Sequence, residues 1–160
     1  TSESVARWRK RRHEGGPGGK RRRRAILSDE IRGTQMEVKA APDVSKLVRI
    51  LVGRLPFSYI KPGAITCMRS SGATSRARAR IWSFPKIWQA ALAHPAHYII
   101  EVLSQHFDHL SDDDKIRVII HELMHIPKNF SGALVPHRGI HKRIDHKNVE
   151  KFFQMYKETR

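Results

Sequence analysis

The chain has little cysteine and no long apolar run. Its 160 residues include a single cysteine, Cys67, which excludes an internal disulfide and any cysteine-rich zinc module. No stretch approaches the roughly 18 apolar residues of a membrane-spanning helix, and the basic N-terminal region lacks the apolar segment of a secretion signal. We therefore expect a cytoplasmic protein in a reducing environment, with no membrane partner.

Acidic residues are also scarce. The chain has 31 Lys and Arg against 15 Asp and Glu, a formal net charge of +16. Half of this surplus lies in residues 1–24, where ten basic residues face two glutamates, so that the segment carries +8. Such a polar segment, interrupted by four glycines and a proline at 15–19, cannot bury enough apolar surface to offset its ordering entropy. The basic residues are Arg7, Arg9, Lys10, Arg11, Arg12, Lys20, Arg21, Arg22, Arg23 and Arg24.

This basic segment predicts a nucleic-acid-binding arm. Arginine-rich segments neutralise phosphates and release counterions without sequence preference, and Trp8 could stack on an exposed base. We expect the partner to be nucleic acid, more specifically RNA in a large ribonucleoprotein such as the ribosome; a solubilising or targeting tail is the alternative. On this interpretation residues 1–24 are the arm, 25–42 a linker and 43–160 the folded domain.

One motif carries chemistry, the H-E-x-x-H run His121-Glu122-Leu123-Met124-His125. Residues four apart share one face of a helix, so both imidazoles can bind a single metal ion while Glu122 acts as a base toward a water molecule. A chain of this composition would contain the pattern by chance about 0.03 times. The motif therefore predicts a metal-dependent hydrolase, and two helix-face histidines satisfied by their neighbours are the alternative.

The residues around the motif predict the helix that it needs. Ser111 is suited to cap the helix, and three aspartates follow in the first turn, where the helix dipole favours them. Pro127 ends the pattern. The apolar residues recur with helical spacing, at Ile116, Ile119, Ile120, Leu123 and Met124. The motif thus lies in the last turns of a helix of about 15 residues.

A third ligand must come from outside this helix, because a catalytic zinc site usually has three protein ligands and one open position. The compact metzincin spacing is absent, since Lys128 and Ser131 stand where glycine and histidine would be required. A turn-rich segment after the helix returns the chain and delivers His137. His137 is the preferred third ligand and His141 the alternative, with one Zn²⁺ ion expected per chain.

The motif and several other runs together resemble a known family. The runs are RIWSFPKIWQ at 80–89, HYIIEV at 97–102, IIHELMHIP at 119–127, FSGAL at 130–134 and PH at 136–137. They are similar to the metallopeptidases of archaea and phages, a zincin-like family more distantly similar to SprT-type proteases, over about residues 44–157. The resemblance implies that His121, His125 and His137 bind the metal and that Glu122 is the catalytic glutamate.

The remaining patterns predict an α+β fold. We expect a small zincin-like sheet of three to four strands packed on the H-E-x-x-H helix and on a helix at 43–55, together with a basic N-terminal arm of disordered type. Arginines alternate with apolar residues at 76–82, which predicts either a solvated strand face or a second phosphate-binding patch. Strands are expected at 64–68, 76–82 and 97–103, a short helix or turn at 85–93, and a last helix capped by Asp145.

Two functions fit these patterns. The first is a zinc-dependent endopeptidase with a nucleic-acid-binding arm, acting on a peptide or protein that, by the resemblance, adds to the sheet edge at strand 97–103. The second is a non-catalytic ribosomal or other RNA-bound protein that retains a zincin fold and a structural zinc. Glu122 favours the first, because a structural site has no use for a base. Tyr98, Arg138 and His141 are the candidates for the group that stabilises the oxyanion, and the sequence does not choose among them.

Overall fold

The structure, a computed structural model, describes residues 36–138 and 144–159. The arm at 1–24 and the alternative ligand His141 lie outside these described residues. The four strands are β1 (Glu37–Ala40), β2 (Ile65–Ser71), β3 (Ala79–Trp82) and β4 (Tyr98–Leu103). The helices are α1 (Pro42–Arg54), α2 (Lys86–Ala91), α3 (Ser104–Phe107), α4 (Asp112–Met124) and α5 (His146–Glu158), with a 3₁₀ turn at Pro62–Ala64.

The four strands form one mixed sheet in the order β1-β2-β4-β3. β2 and β4 run parallel, while β1 and β3 pair antiparallel with their neighbours. β4 lies inside the sheet, and its Ile100 and Val102 are fully buried against the helices, which accounts for its near-continuous apolar sequence. The predicted α+β class, with a sheet of up to four strands, is confirmed.

The position of β4 corrects one expectation. The strand at 97–103 was expected to offer a sheet edge to a peptide, but β4 is hydrogen-bonded on both sides and has no free edge. β3 is the edge strand at this side of the sheet, and it packs against α4, which carries the H-E-x-x-H motif. Sequence alone could not show this, because strand order depends on contacts between segments far apart in the chain.

Two predicted helix caps, Ser111 and Asp145, are present, whereas Asp43, also expected to cap a helix, lies inside α1, which has no side-chain cap. The Ser111 side chain accepts a hydrogen bond from the Asp114 N–H at 3.2 Å at the start of α4. Asp145 does the same for the Asn148 N–H at 3.0 Å at the start of α5. The apolar face of α4 includes Ile119, which is fully buried, and each such side chain contributes roughly 1.5–3 kcal/mol to folding. α4 packs against β3, α1 and α5, so the motif lies on a firmly held helix.

Two elements were not predicted. β1 and the start of α1 occupy residues 37–42, within the segment interpreted as a linker, and α3 follows directly after β4. β1 does alternate polar and apolar residues, but over only four positions, all of them exposed, and its Glu, Lys and Ala are residue types that occur less often in strands. Of the helices in the described residues, none is both long and apolar enough to span a membrane.

The arginine alternation at 76–82 has a structural explanation at Arg80. Its guanidinium donates two hydrogen bonds to Glu101, at 2.7 and 3.1 Å, and Trp82 Nε1–H donates a third at 2.8 Å. These donors hold the pKa of the buried Glu101 at about 2, the hydrogen bonds from Arg80 contributing most. Arg80 is therefore engaged by a buried carboxylate, and only Arg76 and Arg78 of the predicted phosphate-binding face are exposed.

Candidate metal centre

Three imidazoles converge at the end of α4. The Nε2 atoms of His121 and His137 are 3.0 Å apart, and those of His121 and His125 are 3.4 Å apart. The ligand atoms of all three histidines lie within 4.8 Å of one another. Nitrogen atoms bound to one tetrahedral zinc at its usual bond length would be about 3.3 Å apart. The three histidines are thus arranged as a set that could hold one metal ion.

His125 is oriented by the chain that returns after the helix. Its Nδ1–H donates to the Val135 carbonyl at 2.6 Å, while the Val135 N–H donates to the His125 carbonyl at 2.7 Å. Because Nδ1 carries the proton in this bond, the lone pair of Nε2 is directed toward the other two rings. An outer hydrogen bond of this kind fixes both the tautomer and the ring orientation of a metal ligand.

The loop that carries His137 is fastened by Tyr98 of β4. The Tyr98 hydroxyl donates to the Ala133 carbonyl and accepts from the Gly132 N–H, both at 2.8 Å. Tyr98 is fully buried, and burial raises its pKa. Its hydroxyl therefore positions the loop rather than facing a substrate, which removes it from the candidates for oxyanion stabilisation. Of the other two, Arg138 is exposed, and His141 lies outside the described residues.

The loop that carries His137 is also held by α2 and by the segment between β3 and α2. Gln89 Nε2 donates to the carbonyls of Phe84 and Ser131, both at 2.8 Å, and the Phe84 N–H donates to the Gly132 carbonyl at 2.8 Å. Gln89 had no assigned role from sequence, although it ends one of the runs on which the family resemblance rests. Its side chain thus joins the loop that carries His137 to α2 and to the segment before α2.

A substitution at Gly132 tests how far stability and metal binding depend on the loop that carries His137. The φ of Gly132 is +90°, and an added Cβ would overlap the Phe84 carbonyl oxygen and lie 2.5 Å from Gln89 Nε2. We expect Gly132→Ala to lower the free energy of unfolding by about 2 kcal/mol or more, because both the backbone and its neighbours must shift, and to weaken metal binding through His137. Gly63→Ala is the matched control, since nothing lies within 4 Å of its added Cβ.

Chemical denaturation of both glycine variants measures the free energy of unfolding, and metal titration measures the metal affinity. The Gly63→Ala protein should match the parent in both measurements. A Gly132→Ala protein with the stability and metal affinity of the parent would show that the loop tolerates displacement and that His137 does not depend on its geometry.

The surroundings of His121 favour a neutral imidazole. Burial lowers the pKa of His121 to about 4, with a further contribution from the neighbouring His125 and His137 rings. A neutral ring keeps a lone pair for a metal at ordinary pH, whereas a protonated ring would repel the cation. The His121 ring is thus in the protonation state that metal binding requires.

Glu122 lies beside the cluster and is 7% exposed. Its carboxylate accepts a hydrogen bond from the backbone of Ile81 in β3, but burial outweighs this bond and raises the pKa of Glu122 to about 7. A dication bound nearby would favour the ionised form. A carboxyl group near its own pKa at neutral pH is suited both to accept and to return a proton.

A cleft opens next to Glu122, between β3 and the two helices α4 and α5. Its volume is about 420 Å³. Sequence reasoning did not assign His146, the first residue of α5, to this place, because nothing local indicates that α5 returns to the motif helix. The lining residues are Ala77, Arg78, Ala79, Asp114, Arg117, Val118, His121, Glu122, His146 and Val149.

The comparisons with known proteins agree with this geometry. A protein family described as "Putative phage metallopeptidase" matches residues 36–159, which is most of the chain and includes the three histidines and Glu122. Neither the curated proteins nor the solved structures contain a match.

Proposed function

The chain belongs to this family of phage metallopeptidases, and we propose that it is a zinc-dependent endopeptidase whose metal ligands are His121, His125 and His137. The observation that carries the proposal is the convergence of three imidazole nitrogens next to a buried carboxyl group, Glu122. Cleavage of a protein substrate by the zinc-loaded chain, compared with its Glu122→Gln variant, is the test.

The donor set supports zinc as the metal. Three imidazoles with Nε2 separations of 3.0 and 3.4 Å suit a tetrahedral ion of this size. Within the described part of the chain, three side chains make up the group, so that a fourth position is left for water or substrate. When bound, zinc would polarise the scissile carbonyl and lower the pKa of a water molecule.

Glu122 supplies the proton transfers of the proposed reaction. It follows the ligand His121 directly and borders the cleft, where its carboxylate can accept a proton from the attacking water. The same carboxyl group then delivers that proton to the departing amine nitrogen. The hydrogen bond from Ile81 fixes its orientation, and its burial limits competing solvent.

β3 is the proposed binding strand for the substrate. It is an edge strand, so an extended peptide can add to it through main-chain hydrogen bonds. One peptide side chain would enter the cleft between Ala79 and Val118. Because an edge strand leaves room for the peptide to continue in both directions, this arrangement supports cleavage within a chain rather than at its end.

We further propose that residues 1–24 bind nucleic acid, RNA in a large ribonucleoprotein being the expected partner. Deleting this arm removes +8 of the +16 net charge. We expect the affinity for a random RNA or DNA to fall and the slope of log K against log salt to flatten markedly, because fewer counterions are released. Titrations at several salt concentrations measure both quantities.

A control variant distinguishes nucleic-acid binding by the arm from nucleic-acid binding by the folded domain. Arg76→Ala combined with Arg78→Ala removes two exposed cations of the domain and should change the slope only slightly. If truncation leaves the slope intact and this double variant flattens it, the nucleic-acid site lies on the domain and the arm has another role.

A further inference from the structure

A second concave surface lies at the far end of β3 from the cleft. It is an apolar pocket of about 280 Å³, lined by Trp82, Ser83, Phe84, Leu92, His94, His97 and Ile99. Three of these side chains are large, apolar and exposed: Trp82 at 48%, Leu92 at 60% and Ile99 at 40%. Large apolar side chains gathered around a cavity indicate a binding surface. We call this cavity the apolar pocket.

The apolar pocket and the candidate active site border the same edge strand. Trp82 is the last residue of β3 and pairs with Ile99 of β4, and both side chains lie on the sheet face opposite the helices, since the adjacent Ile100 is fully buried in the helix-side core. The Phe84 N–H, in the pocket wall, donates to the carbonyl of Gly132, in the loop that carries His137, at 2.8 Å. The pocket and the cleft thus border the same edge strand, one at each end and on opposite faces of the sheet.

Strand geometry relates the two cavities to one peptide. Successive side chains of a strand point to opposite faces. Ala79 lines the cleft on the helix side and Trp82 lines the apolar pocket on the other side, and these residues are three positions apart, about 10 Å along the strand. A peptide paired with β3 would likewise present side chains three positions apart to the two cavities.

The residues that line the apolar pocket determine which kind of peptide side chain can bind in it. The lining of the apolar pocket contains neither an acid nor a lysine or arginine. Its two imidazoles pack edge-on, His94 against Phe84 with ring centres 5.8 Å apart and His94 against His97 at 5.6 Å, and burial lowers the pKa of His97. Aromatic rings and aliphatic groups with no charged side chain among them favour an uncharged apolar or aromatic side chain.

We propose that the apolar pocket binds a large apolar side chain of the substrate, three residues along the peptide from the side chain held in the cleft. The enzyme would then select extended segments that carry leucine, phenylalanine or a similar residue at this spacing. Such segments are buried in folded proteins and exposed in unfolded ones, so unfolded or extended protein regions are the expected substrate class. This inference rests on the proposed function, because it places the peptide on β3.

The test is peptide binding to the zinc-loaded Glu122→Gln protein, which needs no turnover. A fluorescently labelled peptide that contains leucine is compared with versions in which alanine replaces each residue in turn, with anisotropy as the readout. Leu92→Asp should weaken binding of the leucine peptide roughly tenfold or more, since a charge then lies in the pocket, and should leave the peptide with alanine at the critical position unaffected. Ile87→Asp is the matched control, because Ile87 is 73% exposed but lies outside the pocket lining.

Each outcome is decisive. Loss of affinity for the leucine peptide in Leu92→Asp alone supports the proposal, even if the parent protein cleaves nothing, in which case only the peptidase assignment fails. Equal peptide affinities of Leu92→Asp and the parent, or no peptide binding at all, overturn it. Binding of the parent to lipid vesicles that both aspartate variants abolish, without an effect on peptides, would assign the surface to a membrane instead.

Discussion

Replacing Glu122 by glutamine is expected to lower the rate of peptide hydrolysis by about 10²–10⁴-fold, the usual contribution of a general base. Glutamine has nearly the same shape but cannot accept the proton of the attacking water. The fold and the metal should be retained, because Glu122 is not among the three grouped ligands. Loss of the buried carboxyl group, whose pKa burial raises to about 7, removes a group that is unfavourable to ionise, so stability should not fall.

The measurement is cleavage of an unfolded protein by zinc-loaded parent and variant, with and without bound nucleic acid. Glu158→Gln, an exposed change at the end of α5, is the control for the loss of one carboxylate and should cleave like the parent. Equal cleavage by parent and Glu122→Gln would remove Glu122 as the base. A zinc-loaded parent that cleaves nothing under any condition would favour the alternative, an RNA-bound protein with a structural zinc.

Replacing His137 by alanine is expected to reduce zinc affinity by well over 100-fold. Changes to groups that only support a ligand already cost about 10–100-fold, and His137 contributes one of three nitrogens, with its Nε2 3.0 Å from that of His121. The fold should persist, since His137 is exposed and the loop is held separately by Tyr98. Competition with a chromophoric chelator measures the affinity, and circular dichroism checks the fold.

His141→Ala is the matched control, because His141 is the alternative third ligand from sequence. The expected result is zinc affinity close to that of the parent. Full affinity in His137→Ala with loss in His141→Ala would reverse the assignment and make the convergence of His137 on the helix pair incidental.

The sequence by itself determined the elements whose signals are local. Ser111 and Asp145 cap α4 and α5 because a short polar side chain can satisfy a free N–H three residues on. The helical spacing of the apolar residues predicted the buried face of α4. The H-E-x-x-H spacing predicted that His121 and His125 lie on one face of the same helix. These features depend on neighbours within about one or two turns, so a single chain without a structure contains all that is needed.

Part of the candidate site was also predictable from sequence. His137 was chosen as the third ligand, and the structure brings it to His121 and His125, while its role as a ligand stays a prediction. The residues that support the ligands were not predictable. Tyr98 was one of three candidates for the oxyanion donor, but it is buried and its hydroxyl is hydrogen-bonded to the loop that carries His137. Gln89 had no predicted role. A hydrogen bond between residues 35 or 42 positions apart leaves no periodic trace in the sequence.

Only the tertiary structure decided which strand is the edge. β3 and β4 both have strand-like sequences, but β4 is paired on both sides and β3 on one, and this places the proposed substrate strand at β3. It also decided that Arg80 pairs with the buried Glu101. Strand order and ion pairing are set by the packing of distant segments around a shared core, where the free energy belongs to the whole assembly of contacts and not to any one stretch of residues.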